Sequence, residues 1–177
     1  MRKLQVEELN RISPDNYQAQ ASDNLVIVLD NIRSMHNVGS TFRTADGFGV
    51  KKIYLCGITA TPPHREIEKT ALGATETVAW EHQANTIDAL TQLRQGGYQI
   101  VAAEQTSSSV LLQNFPFEPQ QKYALVFGNE VFGVTDEALK YCEKAIEIPQ
   151  IGSKHSLNIS VCVGIVVWQY KLKTSVM

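Results

Sequence analysis

The sequence predicts an α/β fold, a mostly parallel sheet flanked by helices. Three observations carry that expectation. Short continuous runs of apolar and β-branched residues recur along the chain, as strands buried on both faces require. Stretches with helical signals lie between them, the alternation that builds parallel sheets. Polar, glycine-containing clusters follow the ends of several runs, where ligands sit in such sheets. With 177 residues and 44% hydrophobic content, the chain is sized for one compact domain with a sizeable core.

In chain order, residues 1–24 read as a polar amino-terminal arm, with a short amphipathic piece at Leu4, Leu9 and Ile12 expected to end near Ser13-Pro14-Asp15-Asn16. The domain proper is expected to span residues 25–177. It opens with Leu25-Val26-Ile27-Val28-Leu29, ending at Asp30-Asn31; similar runs recur at 52–56, 98–103, 123–127 and 145–148. Helical signals fall over Val38 to Phe48, His64 to Leu72, Thr86 to Arg94 and Thr135 to Lys140. The last apolar run, Ile159 to Trp168, is rich in valine, but its length favours a helix. Ser156 is then its expected N-cap.

Composition excludes several functions. The 16 Lys and Arg against 18 Asp and Glu leave a formal charge of −2, so nucleic-acid binding would rest on local cations. Cys56, Cys142 and Cys162 are odd in number and form no CxxC pair, which fits reduced core thiols; neither a disulfide nor a metal site is expected. The first residues lack the apolar stretch of a signal peptide and no run of 18 apolar residues occurs, so a soluble, cytoplasmic protein without membrane contact is expected.

Three polar clusters stand at strand ends. The first runs from Asp30 to Ala45, with Asn37 at the expected start of a helix and Arg43 six residues on, so that an amide and a guanidinium would face one cleft. The plainer reading is an N-cap and a surface arginine. Neither GxGxxG nor GxxxxGK[ST] is present, which disfavours a dinucleotide or P-loop site. In the second cluster, Phe127-Gly128-Asn129-Glu130-Val131-Phe132-Gly133, two glycines let backbone approach a ligand while Glu130 projects beside them. Thr135 capping the helix that follows explains only its far end. The third cluster, Ile148 to Ser160, leads from a strand end through small and polar residues into the apolar helix. Buried polar groups there need partners.

Together and in this order, the Asn37-to-Arg43 spacing, the 127–133 turn and Ser156-Leu157-Asn158-Ile159-Ser160 resemble the three motifs of the SpoU (TrmH-like) branch of the SPOUT RNA methyltransferases, over roughly residues 25–170. The resemblance implies a carboxyl-terminal deep trefoil knot that binds S-adenosylmethionine through loop backbone. Carried over by motif position, the cofactor contacts fall on Gly128, Ile148 and Leu157, with Glu104 from the loop after the 98–103 run. Glu104 departs from the small or apolar residue expected there. The resemblance also implies methyl transfer to a ribose 2′-hydroxyl of RNA, with Arg43 activating or orienting that hydroxyl and Asn37, Glu130, Ser156 and Asn158 holding nucleotide and arginine. It implies a homodimer whose site is completed near the interface, with the final helix and the Arg43 helix as contact surfaces. Without an added RNA-binding domain before residue 25, transfer RNA is favoured over ribosomal RNA. Arg33, Lys51, Lys52, Arg65, Lys69 and Lys154 are candidate RNA-contacting cations, and His36 and His155 stand beside the motifs. The competing readings are a base methyltransferase of the same superfamily and an idle RNA-binding or assembly protein on the same fold.

Overall fold

In the computed structural model, which describes residues 1–9 and 11–174, the strands form one seven-stranded sheet in which every pairing is parallel. The strands are β1 (Ser22–Asp30), β2 (Val50–Cys56), β3 (Ala79–Gln83), β4 (Tyr98–Ala103), β5 (Val110–Leu111), β6 (Lys122–Phe127) and β7 (Lys144–Glu147). Their spatial order is β3-β2-β1-β6-β4-β7-β5. From β1 the chain winds outward to β2 and β3; the later strands fill the other side. The boundary between β1 and β6 is therefore a switch point, the place where such sheets open a crevice at their carboxyl ends.

Both faces of β1 are buried, which is why it reads as an unbroken apolar run. Leu25, Ile27 and Leu29 pack into one core with α2 (Met35–Gly47), α3 (Arg65–Ala71) and α7 (Ile159–Thr174). Val26 and Val28 pack into the other with α5 (Thr86–Gln95) and α6 (Asp136–Tyr141). Close approach of α2 and α3 depends on Gly39, where a Cβ would collide with the Ile67 carbonyl and the Thr70 hydroxyl. The central strands and the five helices of the cores lie where the sequence places them. Strand β3 was not expected: it is an edge strand with alternating half-buried and exposed residues and no apolar pattern. Two-residue β5 and four-residue α4 (Ala74–Thr77) are too short for a periodic signal.

Two local expectations are corrected. The 13–16 stretch starts a helix, α1 (Pro14–Gln20), instead of ending one; proline at the first helical position favours a start. Leu4, Leu9 and Ile12 are exposed. The arm docks instead through buried Tyr17, whose hydroxyl donates to the carbonyls of Ala45 (2.9 Å) and Val50 (3.0 Å). At the other end, α7 is capped by Asn158, whose Oδ1 accepts from the Ser160 N–H at 2.9 Å. Ser156 lies outside the helix. No described helix is long and apolar enough to cross a membrane.

Candidate active site

Four loops meet beyond the carboxyl ends of β1, β6, β4 and β7. A buried acid at the end of β1 organises their base. Asp30, fully buried, accepts from the Thr86 hydroxyl (2.6 Å), the Thr135 N–H (2.8 Å) and the Asn31 amide (2.9 Å), tying the starts of α5 and α6 to β1. A buried carboxylate survives only when so paired. Asn31 itself adopts a left-handed backbone, φ 58°, and its carbonyl accepts from the Asn129 amide at 2.7 Å.

Asn129 fixes the loop after β6. Its Oδ1 accepts the N–H groups of Val131 (2.9 Å) and Phe132 (3.2 Å), while its backbone exchanges two hydrogen bonds with Gly133. The hairpin closes so tightly that a Cβ on Gly128 would collide with Gly133 and the Val134 nitrogen. Glycine at 128 is therefore a steric requirement. Glu130 projects from this hairpin to the segment after β1, accepting from the Arg33 N–H (3.0 Å), the Ser34 N–H (3.0 Å) and the Asn37 amide (2.9 Å). Burial pushes the Glu130 carboxyl up, but these donors outweigh it and hold the group below the usual carboxylate range.

Asn37 has this freedom because it does not cap α2. Ser34 does, accepting the Asn37 N–H at 3.3 Å. The Asn37 side chain thus joins two loops: its amide nitrogen donates to Glu130, and its oxygen accepts from Asn158 at 3.2 Å. A continuous chain Glu130, Asn37, Asn158 links all three motifs. A further tie runs from the Gln105 amide to the His155 carbonyl at 3.0 Å.

The loops after β4, β6 and β7 enclose, with the start of α7, a cavity of about 510 Å³, within the range of small-molecule and cofactor sites. All four positions expected to contact a cofactor, Glu104, Gly128, Ile148 and Leu157, line it, together with Glu130, Ser156 and Asn158. Cys162 of α7 is also in the wall, and burial pushes its thiol up to about 11, so it carries no nucleophilic chemistry at neutral pH. Among the described residues no cluster of His, Cys, Asp and Glu is arranged to hold a metal.

Arg43 does not join the group. It is exposed and outside the cavity lining. Six residues along a helix amount to about 240° around its axis, so Asn37 and Arg43 point different ways and the expected shared cleft within one chain is not formed. Lys51 and Lys52 also stand elsewhere, near the amino-terminal end of β2, bonded to the Gln18 carbonyl and paired with Glu81 respectively. His36 pairs with Glu66 at 2.6 Å. Sequence reasoning missed two functional supports, Asp30 and Asn129. A charged residue ending a buried apolar strand was the available signal for the first.

The chain is similar to proteins of one kind. The model of the SpoU rRNA Methylase family matches residues 24–168. A 23S rRNA (guanosine-2′-O-)-methyltransferase RlmB of Neisseria meningitidis is 31% identical over 144 residues, covering 81% of this chain and 56% of that protein. A tRNA (guanosine(18)-2′-O)-methyltransferase of Aquifex aeolicus is 32% identical over 146 residues, 82% of this chain and 67% of that protein. The AdoMet-bound rRNA methyltransferase from Sinorhizobium meliloti superposes with a TM-score of 0.79 at 28% identity, covering 92% of this chain and 61% of that one. The chain thus spans a little over half to two thirds of the length of these relatives.

Proposed function

Because the chain belongs to the SpoU rRNA methylase family, we propose that it transfers a methyl group from S-adenosylmethionine to a ribose 2′-hydroxyl of RNA. The observation that carries the reading is the cavity itself. Residues from three separate loops, chosen by motif position alone, line one space of cofactor size beside the Glu130, Asn37, Asn158 chain. The lining also suits the group chemically: it holds three carboxylates and, among the described residues, neither Lys nor Arg, a fit for a cationic ligand.

Bound S-adenosylmethionine supplies an electrophilic methyl on a sulfonium. The chain's part is to bring a hydroxyl oxygen in line with that methyl while the hydroxyl proton passes to water or to a neighbouring RNA phosphate, a task in which positioning dominates. Asn37, Glu130 and Asn158 are already locked to one another, so the edge they form is rigid before RNA arrives. Ser156, exposed in the cavity wall, offers a hydroxyl that donates and accepts. Arg43 is assigned the 2′-oxygen, where its guanidinium stabilises the developing negative charge.

Arg43 is exposed and outside the lining of its own cavity, and this supports the reading that it serves the cavity of a second copy. A packing surface is present beside it. Helix α7 exposes Val161, Ile165, Trp168 and Leu172, spaced four, three and four residues apart on one stripe, and Trp168 packs against Phe48 at the end of α2. A homodimer through these helices covers the stripe. The same reading includes the family's carboxyl-terminal trefoil knot, a docked arm at residues 1–24 before the methyltransferase domain at 25–177, transfer RNA as the preferred substrate and the cytoplasm as its place of action. Arg33, Arg65, Lys69 and Lys154 remain the cations assigned to RNA.

Arg43→Ala tests the assignment. It should abolish methyl transfer while leaving S-adenosylmethionine affinity by calorimetry and the melting temperature unchanged. Mixing it with an inactive cavity variant should restore partial activity if the arginine acts across copies. Full activity in Arg43→Ala would refute the role.

A further inference from the structure

Resting on the cofactor reading above, we propose that Glu104 is a positioning and charge-selecting residue of the cavity: its side chain sets the loop after β6 and favours the positively charged methyl donor over the neutral product left after transfer. The resemblance assigns this position only a backbone contact and expects a small or apolar residue. The structure gives the side chain two tasks.

The first is local. Glu104 follows the last residue of β4, its N–H donating to the Ile146 carbonyl of β7 at 3.0 Å. Its carboxylate spans two loops, Oε1 accepting from the Gln105 N–H at 2.8 Å and Oε2 from the Val134 N–H at 3.0 Å. The oxygen lies where residue 133 would carry a Cβ, and Gly133 is held at φ 71°, a conformation that favours glycine. Carboxylate and hairpin are thus mutually fitted. Both oxygens are committed to backbone donors, which fixes the group in the wall.

The second task follows from charge. Of the three carboxylates in the lining, Glu130 is held by three donors from the β1 side and Glu147 accepts from the Ser109 hydroxyl at 2.8 Å. No lysine or arginine among the described lining residues offsets them. The field of Glu104 reaches the wall opposite its own strand: after burial, its charge is the cause that raises the Cys162 thiol of α7. Donor and product of the transfer share every feature except the methyl and one positive charge. A carboxylate fixed in the wall therefore holds the donor more tightly than the thioether left once the methyl has gone.

Isothermal titration of wild type, Glu104→Gln and Glu104→Asp with S-adenosylmethionine, S-adenosylhomocysteine and the amine-bearing analogue sinefungin separates the two tasks. Glu104→Gln should weaken both cationic ligands on the order of tenfold more than S-adenosylhomocysteine, the size expected of one unit charge at about 6 Å in a medium of intermediate dielectric. Glu104→Asp should keep the preference. Equal losses for all three ligands, or no loss, would overturn charge selection. If Glu104→Gln fails to fold by circular dichroism, wild type decides: product bound more tightly than both cationic ligands overturns the proposal. Wild type that binds none of the three would overturn the cofactor reading, and this proposal with it.

Discussion

The Asn37→Asp substitution exchanges one NH₂ group for an oxygen without changing shape, and it strikes the link on which the site depends. Asn37 is 9% exposed, donating to Glu130 at 2.9 Å and accepting from Asn158 at 3.2 Å. The acceptor half survives the change; the donor half becomes a carboxylate facing a carboxylate. Losing a hydrogen bond to a charged group costs about 1.5–3 kcal/mol. Repulsion of two unit charges at the observed 2.9 Å adds about 1.4 kcal/mol even at the dielectric of water, the appropriate limit because Glu130 is exposed. The expected loss is about 3–4 kcal/mol, or roughly 6–16 °C in melting temperature for a domain of this size. Differential scanning calorimetry at pH 8 measures it. The deficit should shrink on acidification, since two adjacent carboxyls share a proton and their first folded-state pKa lies above the unfolded one. A variant that melts with wild type at pH 8 would refute the claim that this amide bridges the motifs.

Gly128→Ala places a Cβ into Gly133 and the Val134 nitrogen, so the hairpin must shift; S-adenosylmethionine affinity by calorimetry should fall by more than about tenfold while the fold persists by circular dichroism. Unchanged affinity would show that the hairpin does not border the cofactor. The Glu130 carboxyl is held below its unfolded value by its donors, so its contribution to stability is present above the ordinary carboxylate range and is lost as pH falls through the lower folded value. Denaturant unfolding from pH 7 to pH 3 should therefore show wild type approaching Glu130→Gln at the acid end, and parallel curves would contradict the assignment.

Strands β1, β2, β4, β6 and β7 were legible because both faces of a central strand are buried and every residue must be apolar. Edge strand β3 faces solvent with Trp80 and His82 and carries no such constraint. The motifs were legible as an ordered set at strand ends, since parallel topology delivers those ends to one edge of the sheet. What the sequence hid was direction. A six-residue spacing does not say that Asn37 and Arg43 diverge around α2. The choice of cap between Ser156 and Asn158 depends on where the helix axis starts, and both residue types cap well. Glu104 was legible as a position and not as a side chain, because its partners at Val134 and Gly133 lie thirty residues on and meet it only through the pairing of β4 with β6.

The central claim is methyl transfer to ribose. Incubating the protein with methyl-labelled S-adenosylmethionine and total RNA, then digesting the RNA to nucleosides, tests it directly. Label is expected in 2′-O-methylated nucleosides, with the intact RNA resistant to alkaline cleavage at the labelled position, and no label with Arg43→Ala. Label recovered on a base, or none in RNA while S-adenosylmethionine binds, would contradict it.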